Sequence, residues 1–116
     1  MSQRETVTRL RHMLDHAREA VAMTKGRTRA DVVADRQLSL ALVRLLEIIG
    51  EAAARIPQQD RALYPNIPWP QIVSLRNRLI HGYDSVDLDI LWQILVKDLP
   101  PLIETLQAVV RTEDPG

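Results

Sequence analysis

Cysteine and phenylalanine are both missing from this chain of 116 residues. Without cysteine there is no disulfide framework and no thiolate metal site. The aromatic content is confined to Tyr64, Trp69, Tyr83 and Trp92. Four rings are too few for the stacking platforms on which sheet-type readers hold single-stranded RNA. Net charge is also missing: fifteen basic and fifteen acidic side chains cancel. A protein that coats nucleic acid through bulk charge is therefore excluded. No apolar run approaches the roughly 20 residues needed to span a bilayer. Residues Met1–Glu5 lack the apolar stretch of a secretory signal, so the expectation is a soluble, cytoplasmic protein with no membrane partner. Glycine-rich phosphate loops, serine nucleophile elbows and β-hairpin signals are absent as well.

What charge there is lies unevenly. Residues 1–30 hold seven basic and three acidic groups, whereas residues 84–116 hold two basic and seven acidic ones. The basic end can attract RNA locally and the acidic end a basic partner. The blander reading spreads these charges over solvated helix faces.

Apolar spacing is helical throughout. Val7, Leu10, Leu14, Ala17 and Val21 form one stripe of a first helix, which Gly26 ends. After Asp31, a candidate N-cap, the run from Leu38 to Ile56 is apolar on several sides and reads as a central helix. Gly50 within it costs roughly 1 kcal/mol against alanine and suggests a close helix crossing. Pro57 stops this helix. A helix is predicted from about Pro68 to His81, with Ile72, Val73, Leu75, Leu79 and Ile80 inward and Gly82 as its stop. Asp84, Ser85 or Asp87 caps the next, which carries Leu88, Leu91, Trp92 and Leu95. Pro100 and Pro101 open a last helix burying Leu102, Leu106 and Val110. The expectation is a single all-α domain, an up-and-down bundle of about five helices over residues 1–111, with a frayed tail at 112–116.

The chemistry concentrates in Arg76-Asn77-Arg78-Leu79-Ile80-His81-Gly82-Tyr83. A guanidinium holds a phosphate through parallel charge-assisted hydrogen bonds. An imidazole exchanges protons near neutral pH. On an ideal helix Arg76 and His81 lie about 140° apart, so a shared site needs the reach of arginine and the turn at Gly82. Read singly, each residue has a plainer role. Arg76 could lock helices through Glu47 or Glu51, His81 could be a cap, and Tyr83 a core ring. Glu47 and Glu51, flanked by Arg44 and Arg55, fit ion pairing along a helix better than acid–base work. They could also orient Arg76. His12 and His16 share a helix face at metal-ligand spacing, but Asp15 is poorly placed as a third ligand, so they read as surface histidines.

Arg76, four residues, His81, one residue and Tyr83 resemble the Arg-x4-His-x-Tyr motif of HepT-like toxins in the HEPN superfamily. Arg44 to Ala53, Ile67-Pro68-Trp69, Val86 to Trp92 and Asp98-Leu99-Pro100 are also similar to family landmarks, so the likeness runs from about residue 5 to 110. Two positions depart from the pattern: Ser74 stands where glycine is expected, and Asp84 where an aromatic is common.

The resemblance implies a HEPN-type helical homodimer with paired sites in a cleft at its two-fold axis. It implies metal-independent cleavage of RNA without a cofactor, with Arg76 and His81 catalytic and Asn77, Arg78, Glu47 and Glu51 supporting. It also implies a partner, a minimal nucleotidyltransferase antitoxin that attaches AMP to Tyr83 in a type VII toxin–antitoxin system. The alternative reading is a non-catalytic nucleotide- or protein-binding module of the same fold.

Overall fold

The computed structural model describes residues 1–83 and 85–113. Asp84 and the stretch 114–116, which belongs to the tail expected to fray, lie outside the described residues. The chain is all-α, and two long helices supply twelve of its 27 buried apolar residues. Helix α1 spans Gln3–Met23 and α3 spans Arg36–Ala54, with the short α2, Arg29–Ala34, between them. Side-chain oxygens start each of these helices. Ser2 accepts from the Glu5 amide, Thr28 and Asp31 form a reciprocal capping box, and Asp35 accepts from Leu38. Asp31 is thus the third residue of α2, not the cap of the central helix, because Asp35 takes that role four residues later. Gly26 sits in the turn after α1 at φ +76°, a conformation that disfavours a Cβ.

The buried face of α1 is Thr6, Leu10, Met13, Leu14, Ala17 and Ala20, so Val7 and Val21 fall at its margin. It packs on Leu42, Leu46, Ile49 and Ala53 of α3. Gly50 provides the close crossing expected of it: an added Cβ would stand 3.1 Å from the Ile72 carbonyl oxygen.

After α4, Gln58–Arg61, the connector is pinned rather than loose. Tyr64, Ile67 and Trp69 are buried, and the Trp69 indole donates to the Tyr64 carbonyl at 3.1 Å. The helix predicted over 68–81 is two short helices, α5 (Trp69–Val73) and α6 (Leu75–Leu79), broken at Ser74. His81 therefore lies beyond α6, in a loop closed by an antiparallel bridge between Ile80 and Val86. Around that bridge the His81 amide donates to the Ser85 carbonyl at 2.9 Å and the Asp87 amide to the Leu79 carbonyl at 2.8 Å.

The last two predicted helices are one rod. Helix α7, Leu88–Gln93, passes through a π turn at Ile94–Asp98 into α8, Leu99–Glu113. Pro100 and Pro101 cannot donate to Val96 and Lys97, and their rings would crowd those carbonyls in an α register. The wider π turn absorbs the conflict without breaking the rod, and the Leu99 amide reaches back to Ile94. Thr112 and Glu113, assigned to the tail from sequence, are the last residues of α8. No helix among the described residues is long and apolar enough to cross a membrane.

Candidate active site

Helix α6 carries Arg76 on its solvent side, because Leu75 and Leu79 use the opposite side for the core. Its side chain is 66% exposed, and Nε lies 3.6 Å from Oε2 of Glu47. Glu47 comes from the middle of α3, so the crossing at Gly50 is what brings the carboxylate within reach. Both residues line a groove of about 700 Å³. Arg36, Leu40 and Val43 continue that wall along α3, Val86 and Leu88 close the far side, and Tyr83 stands at the rim with its ring fully exposed.

His81 emerges from the bridged loop, 56% exposed, with Nε2 at 3.4 Å from Oδ2 of Asp87. It is not part of the groove lining. Within one chain, then, Arg76, Glu47 and Tyr83 share a cavity, and the imidazole stands outside it.

The remaining candidates separate. Arg78 turns away from the groove and donates to Asp98 of the π turn at 2.9 Å, with both side chains mostly covered. Asn77 lines a second groove of about 530 Å³ with Arg61, Trp69 and Ser74. Glu51 pairs with Arg55 at 2.8 Å, one turn along α3, as the spacing of charges on that face suggested. His16 directs Nδ1 to the His12 carbonyl at 2.6 Å and so does not join His12 around a common point.

Sequence reasoning gave Asp87 only a capping role. The structure gives it two: Oδ1 accepts from the Ile90 amide at 3.0 Å while Oδ2 faces His81. It also missed Asp98 as the partner of Arg78 and Arg36 as a cation on the groove wall. No spacing rule exposes these, since each depends on how the loop after α6 and the π turn fold back.

A guanidinium and an imidazole with carboxylates behind them suit charge stabilisation and proton transfer at a phosphodiester. The comparisons with known proteins point the same way. A model of the HepT-like family, described as "Ribonuclease HepT-like", matches residues 13–109. A protein of Methanocaldococcus jannaschii described as a "Putative RNase" is 35% identical over 94% of this chain and 100% of its own length. One of Caldanaerobacter subterraneus subsp. tengcongensis with the same description is 35% identical over 90% of this chain and 93% of its own. The "Probable ribonuclease HepT" of Thermococcus cleftensis is 38% identical over 77% of this chain and 84% of its own. No solved structure gives a match. The chain belongs to the HepT-like ribonuclease family.

Proposed function

We propose that this protein is a metal-independent endoribonuclease, the toxin of a type VII toxin–antitoxin pair, acting in the cytoplasm. The observation that carries the reading is that Arg76 and His81, the two groups the chemistry needs, are both solvent-exposed on adjoining segments, each steadied by a carboxylate. The Arg76 guanidinium holds the scissile phosphate and offsets charge as the phosphorane forms. His81 moves the proton. The ribose 2′-oxygen bonds to phosphorus, the bond to the 5′-oxygen breaks, and that oxygen leaves with a proton. The products are a 2′,3′-cyclic phosphate and a 5′-hydroxyl.

A second copy of the chain completes the site in this proposal. His81 lies outside the groove of its own chain, and a two-fold dimer places two such pairs around one cleft. Inhibition works through Tyr83. A minimal nucleotidyltransferase transfers AMP from ATP to the phenolic oxygen, with release of pyrophosphate. Full exposure of the ring at the groove rim makes it accessible to such a partner, and the added phosphate would compete for Arg76.

The test is purified protein incubated with RNA in the presence of a chelator. Cyclic-phosphate ends should appear. Arg76→Ala and His81→Ala should each lower the rate about 100-fold or more, with helical content intact because both side chains lie on the surface. RNA left whole by well-folded dimer would favour the binding module instead. Co-expression with the cognate transferase should add mass in AMP increments, absent in Tyr83→Phe.

A further inference from the structure

We infer that Asp87 is the positioning residue of His81, selecting which imidazole nitrogen meets the RNA. This rests on the ribonuclease reading for its kinetic consequence, though not for its structural one. Three contacts fix Asp87. Its amide is held by the Leu79 carbonyl at 2.8 Å, one rung from the bond between His81 and Ser85 across the Ile80–Val86 bridge. Its Oδ1 is occupied by the Ile90 amide at the start of α7. With one oxygen committed to the cap, the carboxylate cannot rotate freely, and Oδ2 stays aimed at Nε2 of His81, 3.4 Å away.

A carboxylate in that place favours the tautomer with its proton on Nε2, because only an N–H can be donated to it. Nδ1 is then the unprotonated nitrogen, free to accept the 2′-hydroxyl proton. The distance is long for a finished hydrogen bond, as catalytic contacts without substrate often are. Asp87 is also less exposed than His81, 32% against 56%. The carboxylate is therefore the fixed member and the imidazole the one it steers.

Replacing the aspartate separates capping from steering. In Asp87→Asn the amide oxygen still caps α7, since asparagine caps as well as aspartate. Its NH2 group now faces Nε2 and favours the opposite tautomer. Asp87→Ser caps as well but presents nothing to the ring. Long-range 1H–15N spectra at pH about 8.5, above the ordinary imidazole pKa of about 6.5, report the tautomer directly. The His81 signals are assigned by their loss in His81→Ala.

The expected result is a near-complete Nε2–H form in the unmodified protein, the Nδ1–H form in Asp87→Asn, and only the weaker intrinsic bias of a free imidazole towards Nε2–H in Asp87→Ser. Both variants should lose about 10- to 100-fold in kcat, within what proton transfer contributes, while KM stays within about twofold because Arg76 still holds the phosphate. One tautomer shared by all three proteins would overturn the proposal, as would Asp87→Asn turning over at the unmodified rate. A tautomer switch in a protein that cleaves no RNA would support the coupling of Asp87 to His81 and sink the ribonuclease reading alone.

Discussion

The pair of Arg78 and Asp98 offers the sharpest test of which cations in this motif are structural. Arg78 Nη2 donates to Asp98 Oδ2 at 2.9 Å, and the side chains are 31% and 21% exposed. Arg78 Nη1 is buried with no hydrogen-bond partner among the described residues. An exposed pair is worth about 0.2–1 kcal/mol, whereas removing one partner of a fully buried pair costs about 3–5 kcal/mol. The burial here is intermediate, so Arg78→Met or Asp98→Leu alone should destabilise by about 2 kcal/mol, each leaving the other charge without its partner. The double variant should behave differently. It removes both charges and the unsatisfied Nη1 together, and apolar replacement of covered pairs is often neutral. It should fall within about 1 kcal/mol of the unmodified protein, which makes the coupling in a double-mutant cycle about 3–4 kcal/mol. Urea unfolding followed by circular dichroism measures this, each single variant moving the midpoint by roughly 1 M. Single variants as stable as the parent, or a double variant that loses the sum of both, would refute the account. The same double variant should cleave RNA at the parental rate, and a stable but inactive one would show that Arg78 touches the phosphate after all.

Two other predictions follow from the packing. Gly50→Ala gains about 1 kcal/mol of helix propensity, but its Cβ meets the Ile72 backbone oxygen at 3.1 Å. A carbonyl held within α5 yields less readily than a side chain, and overpacking of this kind costs about 1–3 kcal/mol. The expected net result in thermal unfolding is destabilisation, and a raised midpoint would show that α5 moves freely. Tyr64 titrates above the ordinary tyrosine range, chiefly because it is buried, with the charges of Glu113 and Asp60 adding to the effect. A raised folded-state pKa means that its contribution is complete below about pH 10 and is lost as pH rises through the folded value. In Tyr83→Phe, where Tyr64 is the remaining tyrosine, ultraviolet titration should place ionisation above 10, with stability falling as pH passes through it. Ionisation at an ordinary value with helix intact would contradict it.

The elements legible in the sequence are those whose residues act locally. The central helix was readable because its apolar positions recur over nineteen residues, Leu38 to Ile56, wider than one stripe. Gly50 was readable as a crossing because glycine inside so apolar a helix has few other uses. The break at Ser74 was not, since serine is tolerated in helices, and the split arises from tertiary docking of Ile72 and Leu75 on α3. Pro100 and Pro101 rightly mark the first turn of α8, but they do not reveal that a π turn joins it to α7 without an intervening loop. At the site, Arg76, His81 and Tyr83 were visible as a spaced triplet. Which carboxylate serves which cation was not. Glu47 and Glu51 are equivalent by spacing, and only the crossing of α3 with α6 assigns Glu47 to Arg76 and leaves Glu51 to Arg55.

The three basic groups of the motif differ in how firmly they are held, and that difference bears on function. Arg78 is tied at 2.9 Å under cover. Arg76 and His81 rest against carboxylates at 3.6 and 3.4 Å, with most of each side chain in solvent. Glu47 is itself 26% exposed, but the Arg76 side chain is 66% exposed and the contact is long, so displacing Glu47 costs a phosphate on the order of 1 kcal/mol, and parallel guanidinium–phosphate bonds are the stronger contact. Glu47 thus keeps Arg76 aimed into the groove without withholding it. A chain with no net charge gains little from long-range attraction to RNA, so in the proposed mechanism affinity must be generated within the groove itself. That is why a modification at its rim can suffice for inhibition. In the proposed mechanism a phosphate attached to Tyr83 would need to satisfy only Arg76, which lines the same groove, to remove the attraction on which binding of the scissile linkage would depend.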